Sequence, residues 1–316
     1  MAKNANRKIN RKQQGGPKRP LVVLLVIILT IIAVLLGLEW LRKARAPLVV
    51  EEKPATAERR RIPPRSEHKE YEQRPYTSVP APSAHLPKRA RRGPSGPGSV
   101  AIIIDDMGAS TKEARDLLAI GLPITFSVIP GLPKDRVVAE LAHQQGGRVM
   151  IHMPMEPQAY PERRLEKNGL LLSQSEGEIA ERLRTYFKSV PHAIGANNHM
   201  GSRFTEDGEK MGVVLNVLKE KGLFFIDSRN SPRSVGFSLA HQLGMEAGTR
   251  NVFLDNVQEV GAIRVQLEET ARIARRKGEA IAIGHPYPAT IRALRETMPE
   301  LRDAGIRFVY ASELVR

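Results

Sequence analysis

The sequence has no cysteine among its 316 residues. Disulfide bonds and cysteine-based zinc sites are therefore excluded, although the absence of cysteine does not by itself define the compartment. The C-terminal two thirds also lack an excess of charge of either sign, because residues 99–316 hold 28 Lys and Arg against 27 Asp and Glu. The formal net charge of +15 belongs almost entirely to residues 1–98. The C-terminal part thus lacks the basic surface that a nucleic-acid-binding domain needs.

One long apolar run lies near the N-terminus. Residues 21–38 carry no charge and would span about 27 Å as a helix, which is enough for the hydrocarbon core of a bilayer. Seven basic residues precede the run and three follow it closely, so the inside-positive rule places the N-terminus in the cytoplasm. A cleaved signal peptide is the alternative, because Ala44-Arg45-Ala46 has the small-residue spacing of a cleavage site. We expect an uncleaved anchor, with a basic cytoplasmic segment at residues 1–20 and a transmembrane helix at residues 21–41.

Residues 42–98 are rich in proline and in basic residues and show scarcely any apolar periodicity. Such a segment cannot bury enough surface to offset the entropy of ordering, so the composition predicts a disordered linker. Its basic clusters are typical of a solvated chain, and contact with acidic polymer or lipid headgroups is the alternative. The linker would connect the membrane to a periplasmic or otherwise extracytoplasmic domain formed by residues 99–316.

Residues 99–316 alternate short apolar runs with amphipathic segments, which is the pattern of a parallel sheet with crossover helices. Ser110 and Ser175 begin sequences typical of helix N-termini, and residues 236–244 also favour a helix. About seven βα units in one domain indicate a (β/α) barrel rather than an open sheet. The apolar runs that predict strands are residues 100–104, 124–128, 149–151, 223–226, 252–254, 280–283 and 308–309.

Polar residues follow nearly every predicted strand. They are Asp105-Asp106, His152, Asn197-Asn198-His199, Asp227, Asp255 and His285. Because the carboxyl ends of barrel strands meet at one mouth, we expect these side chains to lie together. Two carboxylates at the end of a buried strand are costly unless they meet a cation or strong donors. An aspartate with His152 and His199 would form the Asp plus two His set that leaves Zn²⁺ an open position, so the pattern predicts a divalent metal site. The alternatives are that the histidines are hydrogen-bonded core residues and that the aspartates cap the next helix.

Other residues near this mouth have less specific patterns. Glu156, four residues after His152, is either a further ligand or partner of the ligands, or an exposed loop charge. A supporting role, through hydrogen bonds or internal ion pairs at the mouth, is expected for Asn198, Asp227, Arg229 and Asp255.

Five ordered motifs then carry a family resemblance. Together they resemble the divergent polysaccharide deacetylase family, which is similar to the NodB-type deacetylases of carbohydrate esterase family 4. The resemblance covers residues 99–316 and implies a deformed seven-stranded (β/α) barrel, here preceded by the transmembrane helix and the disordered linker. The motifs are Ile103-Ile104-Asp105-Asp106-Met107-Gly108, Ile151-His152-Met153-Pro154-Met155, Asn198-His199-Met200-Gly201-Ser202, Ile226-Asp227-Ser228 and Ile283-Gly284-His285-Pro286.

The resemblance also implies roles for single residues. Asp105 matches the catalytic base, Asp106 the metal-binding carboxylate, and His285 the acid that protonates the leaving amine. NodB-type enzymes take both metal histidines from one His-x-x-x-His motif, whereas position 156 here is glutamate. The second histidine therefore has to come from elsewhere, and His199 is the candidate beside His152.

The expected function is metal-dependent removal of acetyl groups from N-acetylated cell-envelope polysaccharide such as peptidoglycan. Two alternatives stay open. The domain could be a catalytically inactive platform that binds envelope glycan or a protein, or a glycoside hydrolase that uses two of its carboxylates as acid and nucleophile. Few aromatic rings are available to stack on sugars, and the loop candidates are Tyr160, Phe204, Phe237 and Tyr287.

Overall fold

The computed structural model describes Thr30 and residues 97–316. Within those residues there is no helix whose length and apolar character would let it cross a bilayer. The predicted cytoplasmic segment, the transmembrane helix apart from Thr30, and residues 42–96 of the predicted linker lie outside the described residues, so these predictions stay predictions. The first strand begins at Ser99.

Nine strands form one sheet in which all pairings are parallel. The spatial order is β6-β5-β4-β3-β2-β1-β8-β7, and β9 pairs with β1. Because every pair is parallel, all strands bring their carboxyl ends to the same edge of the sheet. The strands are β1 (Ser99–Met107), β2 (Thr125–Val128), β3 (Arg148–Met155), β4 (Ala193–Met200), β5 (Phe224–Asp227), β6 (Ala247–Thr249), β7 (Val252–Phe253), β8 (Glu279–Gly284) and β9 (Arg307–Val309).

Seven helices lie between residues 111 and 303, and each follows a strand. Ser110 caps the first helix by accepting a hydrogen bond from the backbone N–H of Lys112, and Ser175 forms a capping box with Glu178. The helix expected at residues 236–244 is present. The helices are α1 (Thr111–Leu118), α2 (Asp135–Gln144), α3 (Glu176–Ser189), α4 (Gly208–Glu220), α5 (Gly236–Gln242), α6 (Val260–Lys277) and α7 (Pro288–Asp303).

The sheet is an open half-barrel, because no pairing joins β6 to β7 among the described strands. The predicted seven βα units are all present, but the strand count of seven is corrected to nine. β6 and β9 have three residues each and are not followed by an α-helix of their own. β9 corresponds to the predicted run at residues 308–309, whereas β4 and β6 were not among the predicted runs. The sequence did not indicate β6, because Ala-Gly-Thr contains no apolar run.

The strands have two apolar faces. Ile102 and Ile104 of β1 belong to the core between sheet and helices, whereas Ala101 and Ile103 belong to a second cluster inside the half-barrel. This alternation follows from the two-residue period of a strand. The second cluster also contains Met150, Ile226, Ile281, Ile283 and Val309. The inner face of β1, β3, β5, β8 and β9 is therefore apolar up to the point where the polar residues begin.

Candidate metal and catalytic site

Five polar side chains continue the inner rows at the carboxyl ends of β1, β3, β4 and β8. Asp105 lies two residues after the inner residue Ile103, and His152 lies two residues after Met150. His285 stands in the same relation to Ile283. On β4, Asn197 and His199 are two residues apart and therefore point to the same side. These five residues are Asp105, His152, Asn197, His199 and His285.

Asp106 joins this set because the strand is irregular at its end. The register between β1 and β2 shifts between Ile104 and Met107, and Asp106 adopts a left-handed backbone with φ 55°. Without this irregularity, neighbouring residues of a strand would point to opposite faces. Aspartate tolerates the left-handed region better than most residues, at a cost of about 1 kcal/mol or more. The bend lets two consecutive carboxylates serve one site.

Backbone strain is concentrated around the cavity that most of these polar side chains line. Four non-glycine residues in the described part of the chain have positive φ, and three of them, Asp106, Met200 and Arg229, line this cavity. Their φ values are 55°, 51° and 50°. Such residues persist where the surrounding structure holds them, and they cluster at functional sites.

Asp106, His152 and His199 bring three ligand atoms into a compact triangle. Asp106 Oδ1 lies 3.2 Å from His152 Nε2 and 2.9 Å from His199 Nδ1, and the two ring nitrogens are 3.2 Å apart. Ligand atoms about 2.1 Å from a tetrahedral Zn²⁺ ion lie about 3.4 Å from one another. The three residues that the sequence grouped as metal ligands are therefore adjacent and have the spacing that a small divalent ion requires.

Unpartnered polar atoms support the same fit. Within residues 97–316, three buried side-chain atoms have no hydrogen-bond partner: Asp106 Oδ1, His199 Nε2 and Glu166 Oε2. The contacts of Asp106 Oδ1 with His199 Nδ1 at 2.9 Å and with His152 Nε2 at 3.2 Å lack hydrogen-bond geometry, so this carboxylate oxygen is buried without a hydrogen bond. Buried polar atoms are normally paired, and an acceptor that is not is suited to a cation.

The charges of the site are strongly coupled. Burial alone would raise the pKa of Asp106, but contacts with His152 and His199 outweigh it and hold that pKa well below its usual range. Burial likewise opposes protonation of His152, yet the neighbouring Asp105 and Asp106 outweigh it and raise the pKa of His152 to about 9. In the metal-free protein, a proton on His152 thus supplies part of the positive charge that the carboxylates need.

Asn197 links the metal-facing and catalytic candidates. Its Oδ1 accepts hydrogen bonds from Ser127 Oγ at 2.6 Å and from His152 Nδ1 at 2.8 Å, and its Nδ2 donates to Asp105 Oδ1 at 2.8 Å and to Ser228 Oγ at 3.2 Å. Because Nδ1 of His152 carries the hydrogen, Nε2 keeps its lone pair for a cation. The sequence analysis expected Asn197 at the mouth but assigned the supporting role to its neighbour Asn198.

Asn198, predicted to support the ligands, lies on the opposite face of β4. Its Nδ2 donates to the carbonyl of Met200 at 2.9 Å, and its Oδ1 accepts from the backbone N–H of Ser228 at 2.9 Å. It therefore holds the loops after β4 and β5 rather than a ligand side chain. The prediction is corrected, because strand alternation gives the supporting position to Asn197.

His285 and Asp255 form a pair at the other side of the cavity mouth. His285 Nδ1 lies 3.0 Å from Asp255 Oδ1, and Asp255 Oδ2 accepts from the backbone N–H of His285 at 2.6 Å and from Thr290 Oγ1 at 2.7 Å. His285 Nε2 faces Asp106 Oδ2 at 3.8 Å. Burial lowers the pKa of His285, but the hydrogen bond with Asp255 and the charges of Asp106 and Asp105 outweigh it and raise that pKa above its ordinary value. His285 is suited to donating a proton from Nε2.

Asp105 is buried next to these groups. Its Oδ2 lies 3.5 Å from His152 Nε2 while its Oδ1 accepts from Asn197. Burial raises the pKa of Asp105, and the nearby His152 and His285 and the Asn197 hydrogen bond only partly offset this. The carboxylate is therefore held in one orientation and is a stronger proton acceptor than an exposed aspartate.

Glu156 does not join the ligand cluster. Its Oε1 pairs with Arg203 Nη1 at 2.8 Å, and its Oε2 accepts from the backbone N–H of Leu172 at 2.9 Å. β3 ends at Met155, so the alternation that turns His152 inward no longer applies at Glu156. The prediction that Glu156 is a ligand or a partner of the ligands is corrected, and so is the alternative of an exposed charge, since Glu156 is buried.

Asp227 shapes a loop instead of contacting the ligands. It follows the outer residue Phe225 by two positions, and its carboxylate accepts from the backbone N–H of Arg229 at 2.8 Å and from Ser234 Oγ at 2.8 Å. The predicted supporting role at the mouth is thus indirect. Arg229 itself lines the cavity with its side chain exposed.

The cavity over the site has a volume of about 600 Å³. Tyr287 and Phe253 flank His285, with ring centroids 5.5 Å and 5.2 Å from that of the imidazole. Of the four aromatic residues proposed for sugar stacking, Tyr287 lines this cavity, whereas Phe204 is fully buried in the core.

Comparisons with known proteins identify a family and a similar fold. The family model of divergent polysaccharide deacetylases matches residues 102–315. The uncharacterised protein YibQ of Escherichia coli (strain K12) is 38% identical over 218 residues, covering 69% of this chain and 67% of that protein. An uncharacterised protein of Haemophilus influenzae (strain ATCC 51907 / DSM 11121 / KW20 / Rd) is 38% identical over 204 residues, covering 65% of this chain and 72% of its own length. The crystal structure of the uncharacterised protein ATU2773 from Agrobacterium tumefaciens C58 has a similar fold, with a TM-score of 0.67 and 24% identity over 70% of this chain and 91% of that one.

Proposed function

Because the chain belongs to the divergent polysaccharide deacetylase family, we propose that it is a metal-dependent deacetylase of N-acetylated cell-envelope polysaccharide such as peptidoglycan. One observation carries the proposal. Three ligand atoms converge at 2.9–3.2 Å, and a buried carboxylate and a carboxylate-bound imidazole lie within 3.5 and 3.8 Å of the ligand residues. This is the combination that metal-assisted amide hydrolysis needs.

The divalent ion would be held by Asp106, His152 and His199. We expect Zn²⁺, because two imidazoles and one carboxylate are a typical zinc ligand set. When bound, the ion supplies Lewis acidity that polarises the acetamide oxygen and lowers the pKa of water. Asn197 fixes His152 in the tautomer that offers Nε2. The protein thus presents its ligand atoms already oriented.

Asp105 acts as the general base. As the oxygen of water bonds to the acetyl carbon, one O–H bond breaks and Asp105 takes the proton. Asn197 holds Oδ1 of this carboxylate, which leaves Oδ2 facing the cluster. The raised pKa caused by burial strengthens its basicity.

His285 acts as the general acid. As the C–N bond breaks, Nε2 of His285 gives its proton to the departing nitrogen, and the products are acetate and a free amine on the sugar. Asp255 orients the imidazole through Nδ1 and favours its protonated form. Because Asp255 is committed to His285 and to Thr290, and Asp227 to its loop, these carboxylates do not form the free pair that a glycoside hydrolase uses.

Acetate release from N-acetylated peptidoglycan and from chitooligosaccharides by the purified full-length chain tests the proposal. We expect activity that a chelator removes and Zn²⁺ restores. Asp105→Asn is expected to bind Zn²⁺ as the wild type does but to lose turnover. Full activity of Asp105→Asn would refute the assignment of the base, and a zinc-bound wild type that binds glycan without releasing acetate would favour an inactive binding platform.

A further inference from the structure

We propose that Glu166 is a positioning residue for His199: its Oε2, 3.7 Å from His199 Nε2, orients the Nε2–H while Nδ1 faces the cation. This inference rests on the metal site of the proposed function but not on acetyl hydrolysis. Glu166 lies in none of the motifs of the sequence analysis and follows no strand. Its place is on the long segment between β3 and α3.

The geometry at His199 calls for such a partner. Nδ1 lies in the ligand triangle, at 2.9 Å from Asp106 Oδ1 and 3.2 Å from His152 Nε2. A neutral imidazole that offers Nδ1 to a cation carries its hydrogen on Nε2. His199 Nε2 is buried, and Glu166 Oε2 lies 3.7 Å from it. These two facing atoms are two of the three buried side-chain atoms without a partner in residues 97–316.

The segment that carries Glu166 is anchored, so its approach to His199 is built into the fold. The backbone N–H of Gly169 donates to the Glu166 carbonyl at 2.8 Å, which closes a tight turn directly after it. Arg182 of α3 donates to the Gly169 carbonyl at 2.9 Å. Glu156 receives the backbone N–H of Leu172 at 2.9 Å. Glu156 therefore contributes to the site indirectly, by fixing the segment that presents Glu166.

The two metal-facing histidines would then be supported in the same manner. His152 has Asn197 Oδ1 behind Nδ1 at 2.8 Å, and His199 has Glu166 Oε2 behind Nε2. A hydrogen-bonded carboxylate makes an imidazole a more basic ligand than an amide does. Loss of such a partner usually weakens metal binding 10–100-fold.

Zinc affinity of the full-length chain, measured by competition with a chromophoric chelator, tests the proposal. We expect Glu166→Ala to weaken Zn²⁺ binding about 10–100-fold, and Glu166→Gln, which keeps an acceptor oxygen, to weaken it less. Glu162→Ala is the matched control, because Glu162 is exposed on the same segment, and it is expected to bind as the wild type does. An unchanged affinity of Glu166→Ala, or an equal loss in Glu162→Ala, would overturn the proposal. A wild type whose zinc affinity depends on Glu166 but which releases no acetate would support it while refuting the deacetylase.

The charge of the cavity carries a second, independent inference. The guanidinium groups of Arg163 and Arg229 line the cavity, are exposed, and make no hydrogen bond or ion pair with any described residue. The cavity carboxylates Asp105, Asp106 and Asp255 are already engaged by Asn197 and by the histidines. A bound divalent ion would add further positive charge. We infer that the glycan carries an anionic group near its acetamide, because guanidinium groups without a partner recognise carboxylate or phosphate. This inference rests on the proposed function.

Binding measurements with the zinc-loaded full-length chain test it. The probes are a muramic-acid-containing N-acetylated oligosaccharide, a phosphorylated N-acetylglucosamine oligosaccharide and a neutral chitooligosaccharide of equal length. We expect at least one acidic probe to bind at least about tenfold more tightly than the neutral one, and this preference should fall as the salt concentration rises. The acidic probe that binds more tightly identifies the anionic group. Arg229→Gln should remove that preference, whereas Arg233→Gln, which lies outside the cavity and pairs with Glu206, should keep it. Equal binding of all three probes would overturn the inference even if acetate is released.

Discussion

Replacing Asn197 by alanine is the most informative single perturbation of the site. The change removes four buried hydrogen bonds, of 2.6, 2.8, 2.8 and 3.2 Å. The hydroxyls of Ser127 and Ser228 can rotate to other acceptors, but Asp105 Oδ1 and His152 Nδ1 stay buried without a partner. Each stranded group costs about 1–3 kcal/mol, so we expect the free energy of unfolding to fall by about 2–6 kcal/mol.

The same substitution is expected to weaken zinc binding. His152 loses the acceptor that fixes its tautomer, and loss of such a partner typically costs 10–100-fold in affinity, or about 1.4–2.7 kcal/mol. Urea unfolding of the metal-free chain and chelator competition measure the two effects separately. The stability loss and the affinity loss should therefore both be visible in one variant.

Asn198→Ala provides a matched control. Asn198 is the same residue type, adjacent on β4 and equally buried, but its two hydrogen bonds connect to backbone groups of Met200 and Ser228. We expect it to lose about 1–3 kcal/mol of stability and to keep its zinc affinity within about threefold. Equal losses of zinc affinity in the two variants, or none in Asn197→Ala, would refute the reasoning from strand alternation.

Four further predictions concern protonation and topology. The pKa of His152 is raised from 6.5 to about 9, so its protonation stabilises the metal-free chain fully below pH 6.5, and this part of the free energy of unfolding is lost as the pH rises through 9. Urea titrations with chelator present measure it. A stabilisation that grows with pH would contradict the prediction. Zinc affinity should move the opposite way, rising about tenfold per pH unit up to about pH 9, because binding displaces the His152 proton. Asp255→Asn removes the carboxylate that raises the pKa of His285, so the alkaline limb of the kcat/KM profile should shift to lower pH, and an unshifted limb would remove His285 as the acid. Because the sequence has no cysteine, the single variants Asn4→Cys and Val265→Cys can be labelled selectively in whole cells with an impermeant maleimide; Val265 is 56% exposed. The predicted anchor implies labelling at position 265 and none at position 4. Labelling at position 4 would contradict it.

Much of the site could be predicted because it continues regular strands. Asp105, His152 and His285 each end an apolar run, and the two-residue period of a strand carries the inner row from isoleucine or methionine to the polar side chain. Parallel pairing then brings these ends to one edge of the sheet. Strand alternation and parallel pairing, which place these three residues close together, can both be inferred from the sequence pattern.

The rest depends on contacts that have no period. β4 begins Ala-Ile-Gly-Ala, which is too weak an apolar run to show whether Asn197 or Asn198 faces inward. Glu156 lies just past the end of β3, where alternation stops. Glu166 reaches His199 from a segment held by hydrogen bonds to α3 and to Glu156, and local sequence gives no sign of such tertiary anchoring.

The position of β1 in the sheet has a consequence for how the domain is completed during synthesis. β1 carries both aspartates. Along one edge it pairs with β8, from Ser99↔Glu279 onward. Along the other edge it pairs with β9 at Ser99–Ala101 and with β2 from Ile103 onward. Of the described strands, β1 is synthesised first, and it pairs with the two that are synthesised last, β8 and β9. Such long-range pairings form slowly. A nascent chain that stops before Glu279 leaves β1 with an open edge and its two carboxylates without His285, so quality-control proteases would meet an unfinished domain rather than a partly working one.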